Sequence, residues 1–458
     1  MKQESMQEAE GMIGLEIHVY LVTREKLFCR CISSREKGLK ANVNICPICT
    51  GQPGAKPMLP NKTAVEKAVQ IGIMLGCKIN EKLAWQRKHY DWPDLPKGFQ
   101  NTLSGKWASP VGVNGKFFGI GVTEMHLEED PAAWEPDTGA IDYNRSGLPL
   151  VEIVTEPDFS TAEEVTDWLK KLLHHLSYLK AADTNAGIKV DVNVSIPDKT
   201  ERVEIKNISS LESIREAIAY ELDRQAKEGN KKRETRRWDD MKGKTVKMRD
   251  KESGEDYRFI ADPDLKWIVI DRKFVEEMKG KIPQTPEEKL EKLIKKYKLD
   301  EYNAEILARN IDIVGFYEKV VEKVDAKFAL SWVTVELLRL LNTHQTALDK
   351  VDINVEHFIA LLRLVKEGKI TELQGKQILK QFCPKSFMPS GLAGKITDVK
   401  ELEKVAKDAI AKNAKAVADY KNGEQKAFDF LMGEIMRATE KRADYKIARD
   451  VLGRLVKK

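Results

Sequence analysis

MIGLEIHVYLV, residues 12–22, alternates without a break. Ile13, Leu15, Ile17, Val19 and Leu21 fall on one face, and Glu16, His18 and Tyr20 on the other. A period of two is that of a β-strand, because successive side chains leave opposite faces of the pleat. VDVNVSI (190–196) sets Asp191, Asn193 and Ser195 opposite its apolar face. In RVEIKNI (202–208), Val203 and Ile205 oppose Arg202, Glu204 and Lys206, and in GVTEMHLEED (121–130), Glu124, His126 and Glu128 share a face. A half-buried strand ordinarily shows water scattered solubilising residues. Here acids, amides and imidazoles recur on the wet faces. The expectation is an antiparallel or mixed sheet with one face under helices and the other lining a polar cavity.

The covering helices carry start signals. Asn61 is placed to cap a helix ending near Gly76. Thr161 and Glu164 form a capping box ahead of Val165, Trp168, Leu169, Leu172 and Leu176, and Ser209 with Glu212 forms another ahead of Ile214, Ala217 and Ile218. Organisation changes near Pro283: in KIPQTPEEKL, Thr285 stands at N-cap, Pro286 at N1 and Glu288 at N3. Beyond it the pattern is helical, with a break at FCPKSFMPSGLAGK (382–395). This predicts an α+β fold in three parts: an antiparallel or mixed-sheet domain over 1–283, an all-helical domain over 284–396 and a basic helical tail over 397–458.

The chain has 458 residues, 42% hydrophobic and 33% charged, which suits two to four globular domains. The polar start MKQESMQEAEG lacks the apolar run of a signal peptide, and Phe328–Leu341 is too short to span a bilayer. No membrane association and a cytoplasmic location are expected, with reduced or metal-bound cysteines. Net charge is +5, and Arg437–Lys458 alone holds eight Lys/Arg against three Asp/Glu. That run reads either as a solvated helix face or as a phosphate-contacting surface.

Cys29-Arg30-Cys31, fourteen residues, then Cys46-Pro47-Ile48-Cys49 is the strongest local motif. Two thiol pairs across a loop are able to surround a tetrahedral Zn²⁺, and four protein ligands leave no open position, so such a zinc is structural. Four packed cysteines are the alternative. Cys77 and Cys383 are isolated. A second constellation is rich in oxygen: Glu16 and His18, then Glu128 and Glu129 in HLEED, then Glu152 in LVEI. Carboxylates gathered on a sheet are a usual means of holding Mg²⁺ and, through it, nucleotide phosphates. Any one of them alone reads equally as a surface acid.

RKHYDWPDLPKGFQ (87–100) packs two prolines, a glycine, aromatics and both signs of charge into one loop, as a site-shaping loop or an aromatic Ω-loop would. The adjacent His174 and His175 lie in a Leu-rich helix and read as surface or packing residues. No G-x-x-x-x-G-K-[ST] occurs, so an ATP site here is not a P-loop, and no G-x-S-x-G nucleophile loop is found.

In order along the chain, IGLEIHV (13–19), the paired cysteines, RKHYDWPDLPKGFQ, HLEED (126–130), DYNRSGLPLVEIVTEPD (142–158), DVNVS (191–195), RVEIKNISS (202–210), ETRRWDD (234–240), DYRFIADPDL (256–265) and AFDFLMGEIMRATEKRAD (427–444) resemble the B subunits of aspartyl/glutamyl-tRNA amidotransferases. The resemblance covers nearly the whole chain. It implies a cradle-shaped catalytic domain related to glutamine synthetase, then a helical domain and a tRNA-binding tail. It implies ATP-dependent phosphorylation of the carboxylate on mischarged Asp-tRNA or Glu-tRNA, followed by attack of ammonia. Carried over residue by residue, it makes Glu16, His18, Glu128 and Glu152 the Mg²⁺/ATP centre. Lys88 and Arg87 become candidates for the ammonia route or the substrate carboxylate.

The resemblance further implies two partners, an amidase A subunit and a small C subunit; ammonia from the amidase is expected to enter near Lys88 and Glu128–Asp130. His89-Tyr90-Asp91-Trp92-Pro93 stands where the family has Asn-Tyr-Phe-Tyr-Pro, and Lys189-Val190 where it has Arg-Cys. The short link near Gly280 matches the B type rather than the related E type, which carries a large insertion there. Two other readings stand beside this one. A free-standing ATP-dependent amide ligase would not need the basic tail, and a non-catalytic zinc-containing RNA-binding protein would not need the acids.

Overall fold

A computed structural model describes residues 10–36, 38–183, 188–208, 210–250, 258–390 and 394–457. Chain contacts divide it into two compact units, residues 1–285 and 286–458. The first is built on β1 (Met12–Tyr20), β2 (Lys78–Ile79), β3 (Lys82–Leu83), β4 (Gln86–His89), β5 (Phe99–Thr102), β6 (Gly112–Phe117), β7 (Ile120–Glu129), β8 (Ala133–Trp134), β9 (Ile141–Asp142), β10 (Pro149–Thr155), β11 (Lys189–Ser195), β12 (Val203–Ile208), β13 (Glu234–Asp239), β14 (Lys244–Asp250), β15 (Arg258–Ala261) and β16 (Ile268–Val269). Twelve of these form one sheet in the order β14-β13-β12-β11-β1-β10-β7-β5-β4-β15, with β6 also pairing β7 and β2 pairing β6. Among the described residues only β12 and β13 run parallel. The alternating strand β1 sits near the middle, between β10 and β11.

The alternation of β1 becomes a division of labour. Ile13, Leu15, Ile17 and Val19 are buried in a core shared with Val151, Ile153, Val190, Val192, Val203 and Ile205, while Glu16, His18 and Tyr20 stay half-buried on the other face. The core is closed by α1 (Lys62–Met74), α2 (Ala162–Leu179) and α3 (Leu211–Glu228), with α4 (Arg272–Gly280) against α1. α2 starts where its capping box places it: Thr161 accepts from Glu164 N, and the Glu164 carboxylate receives Thr161 N. Its Trp168 donates to Phe117 O at 2.8 Å, tying helix to sheet. His175 is buried edge-on against Phe117, a packing role.

Two local expectations shift. The cap of α3 is Ser210, which accepts from Ser213 N; Ser209 lies outside the described residues. In the tandem serine, one residue decides which hydroxyl reaches the free N–H groups. Leu21 continues the face of β1 beyond its last strand residue, Tyr20: its N–H bonds to Pro149 O and it bridges Ala182.

The second unit is helical, as its pattern requires. α5 (Pro286–Tyr297) begins at Pro286, followed by α6 (Glu301–Ala308), α7 (Ile311–Val321), α8 (Ala326–Ser331), a π-turn over Trp332–Leu337, α9 (Leu338–Thr343), α10 (Val355–Lys366) and α11 (Glu372–Lys380). These bury Leu293, Tyr317, Trp332, Phe358 and Phe382 in one cluster. A second cluster joins α12 (Val399–Lys412), α13 (Ala414–Lys421), α14 (Gln425–Ala438) and α15 (Tyr445–Val456) around Leu402, Leu431, Ile435 and Leu452. The clusters are stitched together by Thr371 Oγ1 donating to Lys441 O and by Lys395 beside Asp444. Among the described residues no helix is long and apolar enough to cross a membrane.

Candidate functional site

The β1 ladders bring the wet-face residues into a row. His18 lies opposite Glu152 on β10, and Glu152 lies opposite His126 on β7. Residues opposite one another in antiparallel strands share a face, so three strands contribute to one cluster. His18 Nε2 stands 3.4 Å from Glu152 Oε2 and 3.8 Å from Glu128 Oε1. His126 Nε2 stands 3.3 Å from Glu152 Oε2 and 3.8 Å from Glu128 Oε2, and its Nδ1 is 3.2 Å from Glu124 Oε1.

The charges answer one another. Burial works against the imidazolium of His126, yet Glu152, Glu124 and Glu128 outweigh it and hold its pKa well above the usual value. His18 is raised in the same way, against burial, by Glu152 and Glu128. Burial likewise opposes the Glu152 carboxylate, but the two histidines hold its pKa well below the usual range.

One ligand atom each from His18, Glu128 and Glu152 lies within 4.8 Å of the others. Octahedral coordination at about 2.1 Å sets neighbouring ligands about 3.0 Å and opposite ones about 4.2 Å apart, so this set fits a small dication after slight closure. Three protein ligands leave positions open for water or phosphate oxygens.

The structure brings three of the four expected metal residues together and places Glu16 in an adjoining cluster. Glu16, Asp191 and Glu204 also present ligand atoms within 4.8 Å of one another. Asn193 Nδ2 donates to Glu16 Oε1 at 3.1 Å, and Lys206 Nζ lies 3.0 Å from Asp191 Oδ2 and 3.1 Å from Glu204 Oε1. Burial, with Glu152 and Glu204 nearby, raises the Glu16 pKa. Asp191 Oδ1 is buried without a hydrogen-bond partner, an orphaned oxygen inside the acid cluster. Six residues of the site thus lie beyond the expected metal set: Glu124, His126, Asp191, Asn193, Glu204 and Lys206. Each stands on a polar strand face, which is the available signal; what brings them together is cross-strand register.

Arg87 is engaged elsewhere. Its Nε donates to Asp262 at 2.8 Å and its Nη2 to Asp264 at 2.6 Å, and the guanidinium covers the Phe99 ring. Lys88 is half-buried on β4, opposite Gln100 and Phe259. Lys97, from the same loop, is salt-bridged to Glu129, whose Oε1 also receives Asn101 N. That junction borders a void of about 10 Å³, the size of one water.

Cys29, Cys31, Cys46 and Cys49 come together with all four sulfurs within 4.8 Å. Cys46 and Cys49 sulfurs are 3.9 Å apart, close to the roughly 3.8 Å edge of a tetrahedral zinc–thiolate site. Cys46 N donates to Cys49 Sγ at 3.2 Å, and the turn closes through Gly51, at φ +67°. Cys49, bonded by Cys29 and with Lys26 nearby, has its pKa lowered to about 5, while burial and Cys46 push Cys31 up to about 11. Four crowded thiols resist joint ionisation unless a cation compensates, so the donor set fits zinc. The knuckle is docked on the loop leading into β10: Ser146 Oγ donates to Cys49 O at 2.7 Å, Asn44 N to Asn144 Oδ1 at 2.8 Å, and buried Lys26 Nζ to Tyr143 O at 3.0 Å.

Comparison with known proteins matches this sequence over most of its length. The sequence model described as "GatB/GatE catalytic domain" matches residues 11–276, and that described as "GatB domain" matches 315–456. The B subunit of the aspartyl/glutamyl-tRNA(Asn/Gln) amidotransferase of Methanocaldococcus jannaschii is 42% identical, over 96% of this chain and 97% of its own length. Its counterpart from Methanopyrus kandleri is 40% identical over 97% and 98%. That of Methanobrevibacter smithii is 41% identical over 94% and 97%. With both halves matched and relatives of this identity spanning nearly the full chain, the protein belongs to the family of B subunits of tRNA-dependent amidotransferases.

Proposed function

We propose that this chain amidates the side-chain carboxylate of Asp-tRNA(Asn), Glu-tRNA(Gln) or both, through an acyl phosphate made from ATP. The observation that carries the reading is the pair of adjoining acid clusters on one sheet face. A carboxylate resists ammonia because oxide is a very poor leaving group. Its oxygen first attacks the γ-phosphorus of ATP and expels ADP. Ammonia nitrogen then attacks the acyl carbon, phosphate leaves, and the nitrogen sheds a proton. Mg²⁺, bound at these acids, would neutralise the phosphate charge during the transfer.

The chain's own residues do the rest. His18, Glu128 and Glu152 hold the metal position, with Glu16 contributing from the adjoining cluster. His126, out of solvent, keeps Glu152 ionised and oriented. Lys206 limits the repulsion among Asp191, Glu204 and Glu16. Lys88 and the Lys97–Glu129 junction lie on the side proposed for ammonia entry. Arg87, held by Asp262 and Asp264, acts there by shaping the loop. The cysteine knuckle, loaded with zinc, braces the loop that leads to Glu152.

We take residues 1–283 as the catalytic domain, with a fold related to that of glutamine synthetase, and 284–396 as a helical spacer. Residues 397–458 are a tRNA-binding tail whose basic end contacts phosphates. A separate amidase supplies ammonia as the A subunit, a small C subunit links the two, and the complex works in the cytoplasm. The test is incubation with mischarged Asp-tRNA and Glu-tRNA, ATP, Mg²⁺ and ammonium. Amide-bearing tRNA and ADP in equal amounts are expected. ADP release without amide, or amide without ATP, rejects the reading.

A further inference from the structure

The wet face of β1 carries three stations in succession. Glu16 meets Asp191, Glu204 and Lys206, and His18 meets Glu128 and Glu152. The third, Tyr20, is different in sign. Its hydroxyl donates to Asp130 Oδ2 at 2.7 Å, and Arg145 Nε lies 3.2 Å from the same oxygen. The guanidinium of Arg35 covers the ring, 3.6 Å from its centre. One acid here faces two arginines, and Lys189, opposite His18 on β11, adds a further positive charge.

The cations around these stations are engaged unequally. Arg145 is already used by Asp130 and by the carbonyls of Pro131 and Ala132, and Lys206 by Asp191 and Glu204. Lys97 is used by Glu129, and Arg87 by Asp262 and Asp264. Arg35 is exposed and makes no ion pair among the described residues. Stacking on Tyr20 holds the guanidinium plane while leaving its edge donors free, the arrangement that receives a carboxylate by two parallel hydrogen bonds. Its loop is fixed at the root: Ser33 N donates to Arg24 O at 3.0 Å, Lys26 N to Cys31 O at 3.0 Å, and Ile32 bridges Glu25. Two residues of strand place Tyr20 roughly 7 Å from His18.

We propose that Arg35 recognises the side-chain carboxylate of the aminoacyl group before activation, and so distinguishes acid substrate from amide product. The proposal rests on the amidotransferase reading. A carboxylate approaching acid clusters and a polyphosphate is repelled by both, so a guanidinium at the end of the row gives it a place to dock. Once the carboxylate has become an amide, the charge-assisted pair is gone and the product is held less firmly.

The experiment measures dissociation constants of the assembled amidotransferase for Asp-tRNA(Asn), Asn-tRNA(Asn) and uncharged tRNA(Asn), without ATP. Native enzyme is expected to prefer the acid form by about tenfold, the scale of a hydrogen bond to a charged group. Arg35→Ala should bring the acid-to-amide ratio close to one without changing affinity for the amide or the uncharged RNA, and Arg35→Lys should restore part of it. Zinc content and Tm serve as folding controls. Native enzyme that amidates but shows no acid preference overturns the proposal. So does Arg35→Ala that keeps the preference, or that weakens all three RNAs equally, which would make Arg35 a phosphate contact. Failure of native enzyme to amidate mischarged tRNA would instead sink the amidotransferase reading.

Discussion

At the residue scale the site is an exercise in mutual compensation. Glu152 sits between two histidines, and each histidine sits between carboxylates. Removing one charge should unbalance the chemistry more than the fold of the RNA-binding parts. Glu128→Gln and Glu16→Gln are expected to lower amide formation at least a hundredfold, with ammonium supplied, while tRNA affinity stays within about twofold. Wild-type rates in either variant would remove that residue from the activating centre. Glu16, His18 and Tyr20 are legible in the sequence because three residues at i, i+2 and i+4 need only the strand's period. Asp191 and Glu204 are visible as polar strand residues, but their meeting with Glu16 depends on β11 pairing with both β1 and β12, which no local pattern encodes. Arg87 shows the same limit from the other side: its partners Asp262 and Asp264 are more than 170 residues away.

At the element scale, the knuckle and the tail show how short segments are held. A Cβ on Gly51 would lie 2.3 Å from Pro96 O, at a φ of +67° that favours glycine. Gly51→Ala is expected to cost about 1–3 kcal/mol in urea denaturation, because the backbone strain and the contact act together. Cys46→Ser should abolish zinc binding in elemental analysis and lower Tm more than it lowers the specific activity of the folded fraction.

In the tail, Asp444 caps α15 by accepting from Ile447 N and pairs with Lys395. The Lys395 ammonium and the Ile447 N–H lower its pKa. Its contribution is therefore complete above the unfolded value of about 3.9 and is lost as pH falls through the lower folded value. Asp444→Ala should cost about 1 kcal/mol near neutrality, read as faster amide exchange in α15, and the difference from native should shrink below about pH 4. Capping is legible where one residue qualifies, as at Asn61, which accepts from Thr63 N and Ala64 N. It slips by one at the Ser209–Ser210 pair, and the π-turn at Trp332–Leu337 has no sequence signal of its own.

At the scale of the whole molecule, the proposed function divides activation from RNA contact and leaves ammonia supply to a partner. The basic surplus lies in the last helical stretch, within the cluster formed by α12 to α15. Truncation before residue 397 should weaken tRNA binding and flatten its dependence on salt together, because counterion release scales with phosphate contacts. Unchanged affinity and slope would place RNA binding elsewhere. The step that this reading assigns to a partner is ammonia release. Free ammonia is scarce at neutral pH, and taking it from glutamine requires an activated nucleophile, such as a cysteine beside a histidine. The four clustered cysteines turn their sulfurs toward one another, all within 4.8 Å, and Ser146 donates to Cys49 O, so neither is arranged for attack. Cys77 packs beside Gly112 and Gly115, with its pKa pushed up to about 11 by burial. The isolated chain is therefore expected to amidate mischarged tRNA with ATP and high ammonium and to do nothing with glutamine. Adding an amidase partner should restore glutamine use without changing the ammonium-dependent rate. Glutamine-dependent amidation by the rigorously purified chain would overturn both the division of labour and the structural role given to the cysteines.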